Sequence, residues 1–121
     1  MDTDALLAPV VRAVHAHVRT RPAAVALRDA RSTTTYAELW ERATGTADAL
    51  RRARVTGGGL VAVHLPSGPE AVVAMLGTWL AGAAVLPLDT ATPEERRTQL
   101  LARSGASAVI DHRDGGRVRP L

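Results

Sequence analysis

Apolar residues along this chain follow two alternating periods. Near the N-terminus Leu7, Val10, Val11, Val14 and Val18 recur at helical spacing, which predicts an amphipathic helix over about Leu6–Arg19. Pro22 stands shortly beyond its end, where a helix stops. Ala24-Val25-Ala26-Leu27-Arg28 reads as a strand. A polar turn at Asp29–Arg31 joins it to the β-branched run Ser32-Thr33-Thr34, and together they predict a short hairpin. Thr35 and Glu38 then have the spacing of a capping box, in which each side chain takes an orphan backbone N–H. Leu39, Trp40, Ala43, Ala47 and Leu50 make the apolar stripe of the helix that follows, opposite Glu41, Arg42, Asp48, Arg51 and Arg52. Gly57-Gly58-Gly59 ends that segment as a turn.

The second half changes period. Leu60-Val61-Ala62-Val63-His64-Leu65 is almost continuously apolar, as strands covered on both faces are. Ser67-Gly68-Pro69-Glu70 opens a third helix, with Ser67 and Glu70 expected as a second capping box and Pro69 in the first turn. The helix runs to about Leu80, is apolar nearly all round and is expected to be buried. Gly82 closes it, and Ala84–Leu88 is the next strand, again expected to be covered on both faces. Thr92 as cap and Pro93 as first residue open a fourth helix, with Leu100 and Leu101 on its core side and Gly105 at its end. Ser107-Ala108-Val109-Ile110 is the last strand. The tail Asp111–Leu121 is polar and basic with two glycines, and is expected to be mobile.

From Leu60 the order is strand, helix, strand, helix, strand, the pattern of right-handed crossovers in a parallel sheet. The fold class is α/β: a partial parallel-sheet sandwich with a βαβαβ core, an N-terminal helix and a short hairpin. Residues 1–110 form the scaffold and residues 111–121 the tail.

Composition then removes chemistry. The 121 residues include no cysteine, so disulfides, thiol nucleophiles and thiolate metal sites are excluded. All 15 basic residues are arginine, so no catalytic lysine exists. The aromatic residues are Tyr36, Trp40 and Trp79 alone, too few for base stacking. The net charge of +3 comes from arginines spread along the chain rather than gathered on one face, so no nucleic-acid partner is expected. Ala71–Leu88 holds 18 residues without a formal charge, but Gly82 and Pro87 divide it into a buried helix and a strand, so no membrane span is expected. Residues 1–10 carry Asp2 and Asp4 and no basic segment ahead of an apolar run, so a secretory leader is not expected and the location expected is cytoplasmic.

The remaining polar residues do not assemble a catalytic set. The triple glycine precedes a strand, whereas a phosphate cradle follows a strand and opens a helix. Ser67-Gly68 does follow a strand and open a helix, yet is read as a turn. His15 and His17 are two apart on a helix and face different ways. His64 stands alone in an apolar strand and is read as satisfied in the core or at its edge; His112 is in the tail, and no metal is expected at any of these. Neither Ser67 nor Ser104 lies in a G-x-S-x-G elbow. Asp89 ends a strand at the edge where α/β folds bind ligands, and is read as a loop cap. Met75 and Trp79, four apart, are read as core.

Five segments in order resemble the adenylate-forming enzymes, most of all the amino-acid adenylation domains of nonribosomal peptide synthetases. Thr35-Tyr36-Ala37-Glu38-Leu39 resembles the first core motif of that family, and Leu80-Ala81-Gly82-Ala83-Ala84-Val85-Leu86-Pro87-Leu88-Asp89 resembles the second. Leu60–Glu70 is similar to the strand and turn between them, and Thr92-Pro93-Glu94-Glu95-Arg96 and Ser104-Gly105-Ala106 also fit. The resemblance spans about Leu7–Ile110 and implies a scaffold. The family's phosphate-binding loop, substrate-selecting residues and catalytic lysine all come later than the last strand seen here. The resemblance therefore carries over no catalytic, cofactor-binding or metal-binding residue and no cofactor; Thr35, Tyr36, Glu38, Leu39, Gly82, Pro87 and Asp89 match structural motif positions. Two readings follow: a truncated, noncatalytic scaffold used as an interaction or structural module, or the N-terminal half of a split enzyme that activates an amino acid with ATP and loads it onto a carrier protein. Incompletely covered strands imply a homodimer or association with other peptide-synthetase domains or chains.

Overall fold

A computed structural model describes residues 8–121. Leu6, Leu7, Asp2 and Asp4 lie outside the described residues. The chain forms α1 (Ala8–Thr20), β1 (Val25–Arg28), β2 (Thr33–Thr35), α2 (Tyr36–Arg52), β3 (Leu60–His64), α3 (Pro69–Leu80), β4 (Ala84–Pro87), α4 (Glu94–Ser104), β5 (Ala108–Asp111), a 3-10 turn (His112–Asp114) and β6 (Val118–Pro120). β1 and β2 pair antiparallel as the expected hairpin. The main sheet has the order β4-β3-β5-β6. β3 pairs in parallel with β4 and β5, and β5 pairs antiparallel with β6.

Alternation along the central strands builds the core on both faces. Val61, Val63, Ala108 and Ile110 point one way, where they pack with Leu50 of α2 and Ala74 of α3. Ala62 and Val109 point the other way, toward Leu100 and Leu101 of α4. A third cluster joins α1, α2, α3 and the hairpin through Val11, Leu39, Ala43, Val73 and Leu76, flanked by Leu27 and Trp40. Val10, placed on the apolar face by its spacing, instead is 50% exposed. Helices α2 and α3 approach closely at Gly77, where a Cβ would stand 2.5 Å from Thr46 Cβ and 2.8 Å from the Ala43 carbonyl oxygen. No side chain larger than hydrogen fits there without moving a backbone.

Four expectations are corrected. The segment 111–121 is not a loose tail: Asp111 completes β5, and Val118–Pro120 adds an antiparallel edge strand. Backbone pairing with β5 supplies the order that the polar sequence did not suggest. β4 is covered only in part: Val85 packs toward α2 and α3 and Leu86 toward α4, and both are half-buried. It is an edge strand whose Ala84 and Pro87 are exposed, and Pro87, lacking an N–H, suits an edge. Ser67 caps nothing, because Gly68 at a φ of 152° is the N-cap of α3 and Pro69 the first helical residue. Likewise α4 begins one residue later than Thr92 and Pro93 suggested, with Pro93 itself as N-cap and no side-chain cap. The Thr92 N–H donates instead to the Asp89 carbonyl at 3.0 Å. The uncharged stretch Ala71–Leu88 resolves into α3, a turn and β4, and no helix among the described residues is long and apolar enough to cross a membrane.

Candidate functional site

The motif residues occupy separate places. At the start of α2, Glu38 N–H donates to Thr35 Oγ1 at 3.2 Å and Thr35 N–H donates to Glu38 Oε1 at 2.9 Å, closing a reciprocal capping box. The Thr35 backbone N–H, then the Thr35 hydroxyl, hold the Glu38 carboxyl below the usual carboxylate range. Tyr36 stacks on His17 of α1 with ring centroids 4.9 Å apart, and Leu39 is buried between the helices. Gly82 has a φ of 82°, in the left-handed region, and its carbonyl accepts the Gly58 N–H at 3.0 Å. The triple glycine and Gly82 thus close against each other before β3 and β4 begin. Pro87 and Asp89 lie at the opposite, C-terminal end of β4. Asp89 Oδ1 accepts the Ala91 N–H at 2.9 Å, inside its own loop. These residues do not converge on one site.

What does converge is a charged cluster that local motifs do not reveal. His64 and Asp111 are the last residues of β3 and β5 and are register partners. Both are 1% exposed. By alternation they share the face of Ala62 and Val109, the face covered by α4, and α4 brings Arg97 to the same point. Arg97 Nη1 donates to Asp111 Oδ2 at 3.1 Å, and His64 Nδ1 lies 3.1 Å from Asp111 Oδ1. Oδ1 also accepts the Arg113 N–H at 3.0 Å. Burial pushes the Asp111 carboxyl up, but the Arg113 N–H, the His64 hydrogen bond and the nearby charges outweigh it and hold the group below the usual carboxylate range. An ionised carboxylate only accepts, so His64 carries its proton on Nδ1. His64 Nε2 and Arg97 Nε have no hydrogen-bond partner among the described residues. His112, half-exposed, tilts over His64 with ring centroids 4.9 Å apart. The one signal for this cluster in the sequence is period: His64 stands two residues after Ala62 and Asp111 two after Val109, so each shares its apolar neighbour's face.

Two clefts open nearby. A cleft of about 350 Å³ at the C-terminal edge lies between the hairpin and the β3–α3 turn, lined by Asp29, Arg31, Arg42, Ser67 and Glu70 among others. A groove of about 740 Å³ runs between α2, α3 and β6, with Arg42, Arg52 and Arg117 along it and Glu70 as its acid. In the first cleft Asp29 is spent on its own turn, where Oδ1 accepts the Arg31 and Ser32 N–H groups at 2.7 Å.

Residues 14–119 match the family described as AMP-binding enzyme. A linear gramicidin synthase subunit of Brevibacillus parabrevis is 42% identical over 89 residues, which are 74% of this chain and 2% of that protein. Isonitrile lipopeptide synthase of Streptomyces coeruleorubidus is 38% identical over 102 residues, 84% of this chain and 7% of that protein. Among solved structures, the N-terminal subdomain of NpsA from Klebsiella oxytoca, in complex with anthranilyl-AMSN, superposes with a TM-score of 0.77 at 26% identity, covering 89% of this chain and 28% of that one. A benzoate CoA ligase from Burkholderia xenovorans LB400 gives a TM-score of 0.77 at 30% identity, covering 84% of this chain and 21% of that one. The chain thus spans a small part of each of these proteins.

Proposed function

Because the chain belongs to the AMP-binding enzyme family, adenylate-forming enzymes, we propose that it supplies the N-terminal scaffold of an amino-acid adenylation domain in peptide-synthetase assembly and does not adenylate by itself. The observation that carries this reading is where the motif polar groups are spent. Thr35 and Glu38 satisfy each other's backbone N–H groups, and Asp89 caps its own loop. Each of the three spends a side-chain oxygen on a backbone N–H of its own turn, as a scaffold residue does. The glycine-rich turn precedes β3 and packs on Gly82 rather than opening toward a ligand, and the 121 residues contain no lysine. In acyl-adenylate chemistry the developing phosphate charge needs preorganised donors, usually the largest single catalytic contribution.

A domain built on this scaffold would activate an amino acid with ATP and pass it to a carrier protein; these residues would contribute the sheet and its helices. The free edge of β4 favours association. Val85 and Leu86 are only half-buried and the edge offers unpaired backbone groups. The second reading, an N-terminal half completed by another chain, rests on that edge. Complementation tests it: the chain is co-expressed with an adenylation domain that lacks its own corresponding segment. Recovery of amino-acid-dependent activity in the mixture supports the scaffold role. A folded chain that neither binds the remainder nor restores it would contradict that role.

A further inference from the structure

We propose that His64, Asp111 and His112 form a transition-metal site at the C-terminal edge of the sheet, with zinc as its ion. The three residues offer one ligand atom each, all within 4.8 Å of one another. His64 Nδ1 and Asp111 Oδ1 are 3.1 Å apart, and His112 Nε2 is 3.9 Å from the same oxygen. Ligands about 2.0–2.2 Å from a tetrahedral zinc stand roughly 3.3 Å from each other. The His64–Asp111 pair already has that spacing. It is also fixed, because both residues end central strands in register and are buried. His112 has to swing toward both of the others, because the three ligand atoms lie within 4.8 Å of one another rather than at the roughly 3.3 Å of a bound set. It sits on the 3-10 turn with its side chain 44% exposed, so it has room to rotate. The same exposure gives the ion an entry path and leaves its fourth position to water.

The surrounding groups orient the carboxylate. Arg97 occupies Oδ2 and the Arg113 N–H steers Oδ1, as outer-shell partners do at metal centres. Two imidazole nitrogens and one carboxylate oxygen suit zinc and its neighbours rather than magnesium or calcium, which take oxygen. Two features weaken the site. The Arg97 charge lies beside the carboxylate. Binding at Nδ1 also leaves the proton on His64 Nε2, which has no acceptor among the described residues. An unsatisfied buried donor lowers affinity by roughly ten- to hundredfold. With the Arg97 charge beside the carboxylate lowering it further, the affinity expected is about micromolar.

The test uses the full 121-residue chain, stripped with chelator and titrated with zinc chloride by calorimetry. Cobalt absorption reads the coordination geometry. One equivalent binding with about micromolar Kd and a tetrahedral cobalt spectrum are expected. His112→Ala removes an exposed ligand without touching the core, so the metal-free thermal midpoint stays put while affinity falls by about tenfold or more. A variant lacking His15 and His17 keeps full affinity. Absence of saturable binding below about 100 μM, or binding that His112→Ala leaves undiminished, would overturn the site.

Discussion

His64 and Asp111 are partners on neighbouring parallel strands, and their side chains meet at 3.1 Å beneath α4, where Arg97 completes a buried ion pair from the other side. The pairing ties β5 and the helix before it to β3 at the centre of the sheet. Breaking such a pair by removing one partner strands the other charge in a dry interior. Arg97→Ala therefore destabilises the chain by about 3 kcal/mol. Arg97→Met combined with Asp111→Leu leaves no orphan charge but strands the buried His64 Nδ1 and the Arg113 N–H, so it recovers only part of that loss. Urea denaturation of the single and double variants measures the difference. A double variant no more stable than Arg97→Ala would show that the network matters for more than its charge balance.

The capping box at the head of α2 gives a second prediction. Thr35→Ala removes one cap hydrogen bond and costs about 1 kcal/mol. Glu38 adds a pH signature. Its carboxyl is held below the usual value in the fold, so its contribution is fully present at neutral pH. It fades as pH falls past about 4.3, the ordinary glutamate value, and on through the lower folded value. Glu38→Gln flattens stability across that acid range and changes little above it. Thermal midpoints taken at stepped pH check this, and an unchanged acid slope in the variant would contradict the assignment.

Two glycines of similar helical context have opposite fates. Gly77 faces Thr46 and the Ala43 carbonyl so closely that Gly77→Ala forces α2 and α3 apart. Overpacking of this kind costs about 1–3 kcal/mol. Gly45 is exposed within α2 and a Cβ there meets nothing within 4 Å. Gly45→Ala gains about 1 kcal/mol from helix propensity alone. Thermal midpoints that moved in the same direction for both would contradict the packing described for α2 and α3.

The β4 edge predicts association. Its exposed backbone and half-buried Val85 and Leu86 favour a homodimer or a complex with other synthetase domains over a lone chain. Light scattering across about micromolar concentrations is expected to show mass above that of one chain. A monomer throughout, with no dye bound to apolar surface, would mean the edge needs no partner.

How much of this was legible beforehand depended on the range of the interaction. Thr35 and Glu38 are three apart, so their capping box was readable from spacing, and the α2 stripe placed Leu39, Ala43, Ala47 and Leu50 in the core where they are found. Val61, Ala62, Val63, Val109 and Ile110 announced strands by continuous apolarity. Position within the sheet was another matter. Both β3 and β4 are apolar runs, and only Pro87, which cannot donate to a ladder, hints locally that β4 is the edge; strand order is a long-range property. The tail misled for the same reason, since the bond partners of Val118–Pro120 lie in β5 and its own residues are polar. The Ser67 and Thr92 caps failed where glycine and proline took over the cap position. The His64–Asp111–Arg97 cluster joins residues from β3, β5 and α4, so spacing could offer only the face each occupies.

The central claim is that these residues are scaffold and carry no adenylating machinery of their own. Amino-acid-dependent exchange of labelled pyrophosphate into ATP, measured on the purified chain over a range of protein concentrations, tests it most directly. The account predicts a signal at the level of buffer for every amino acid offered. Exchange that depends on one amino acid and rises in proportion to the chain's concentration would contradict it.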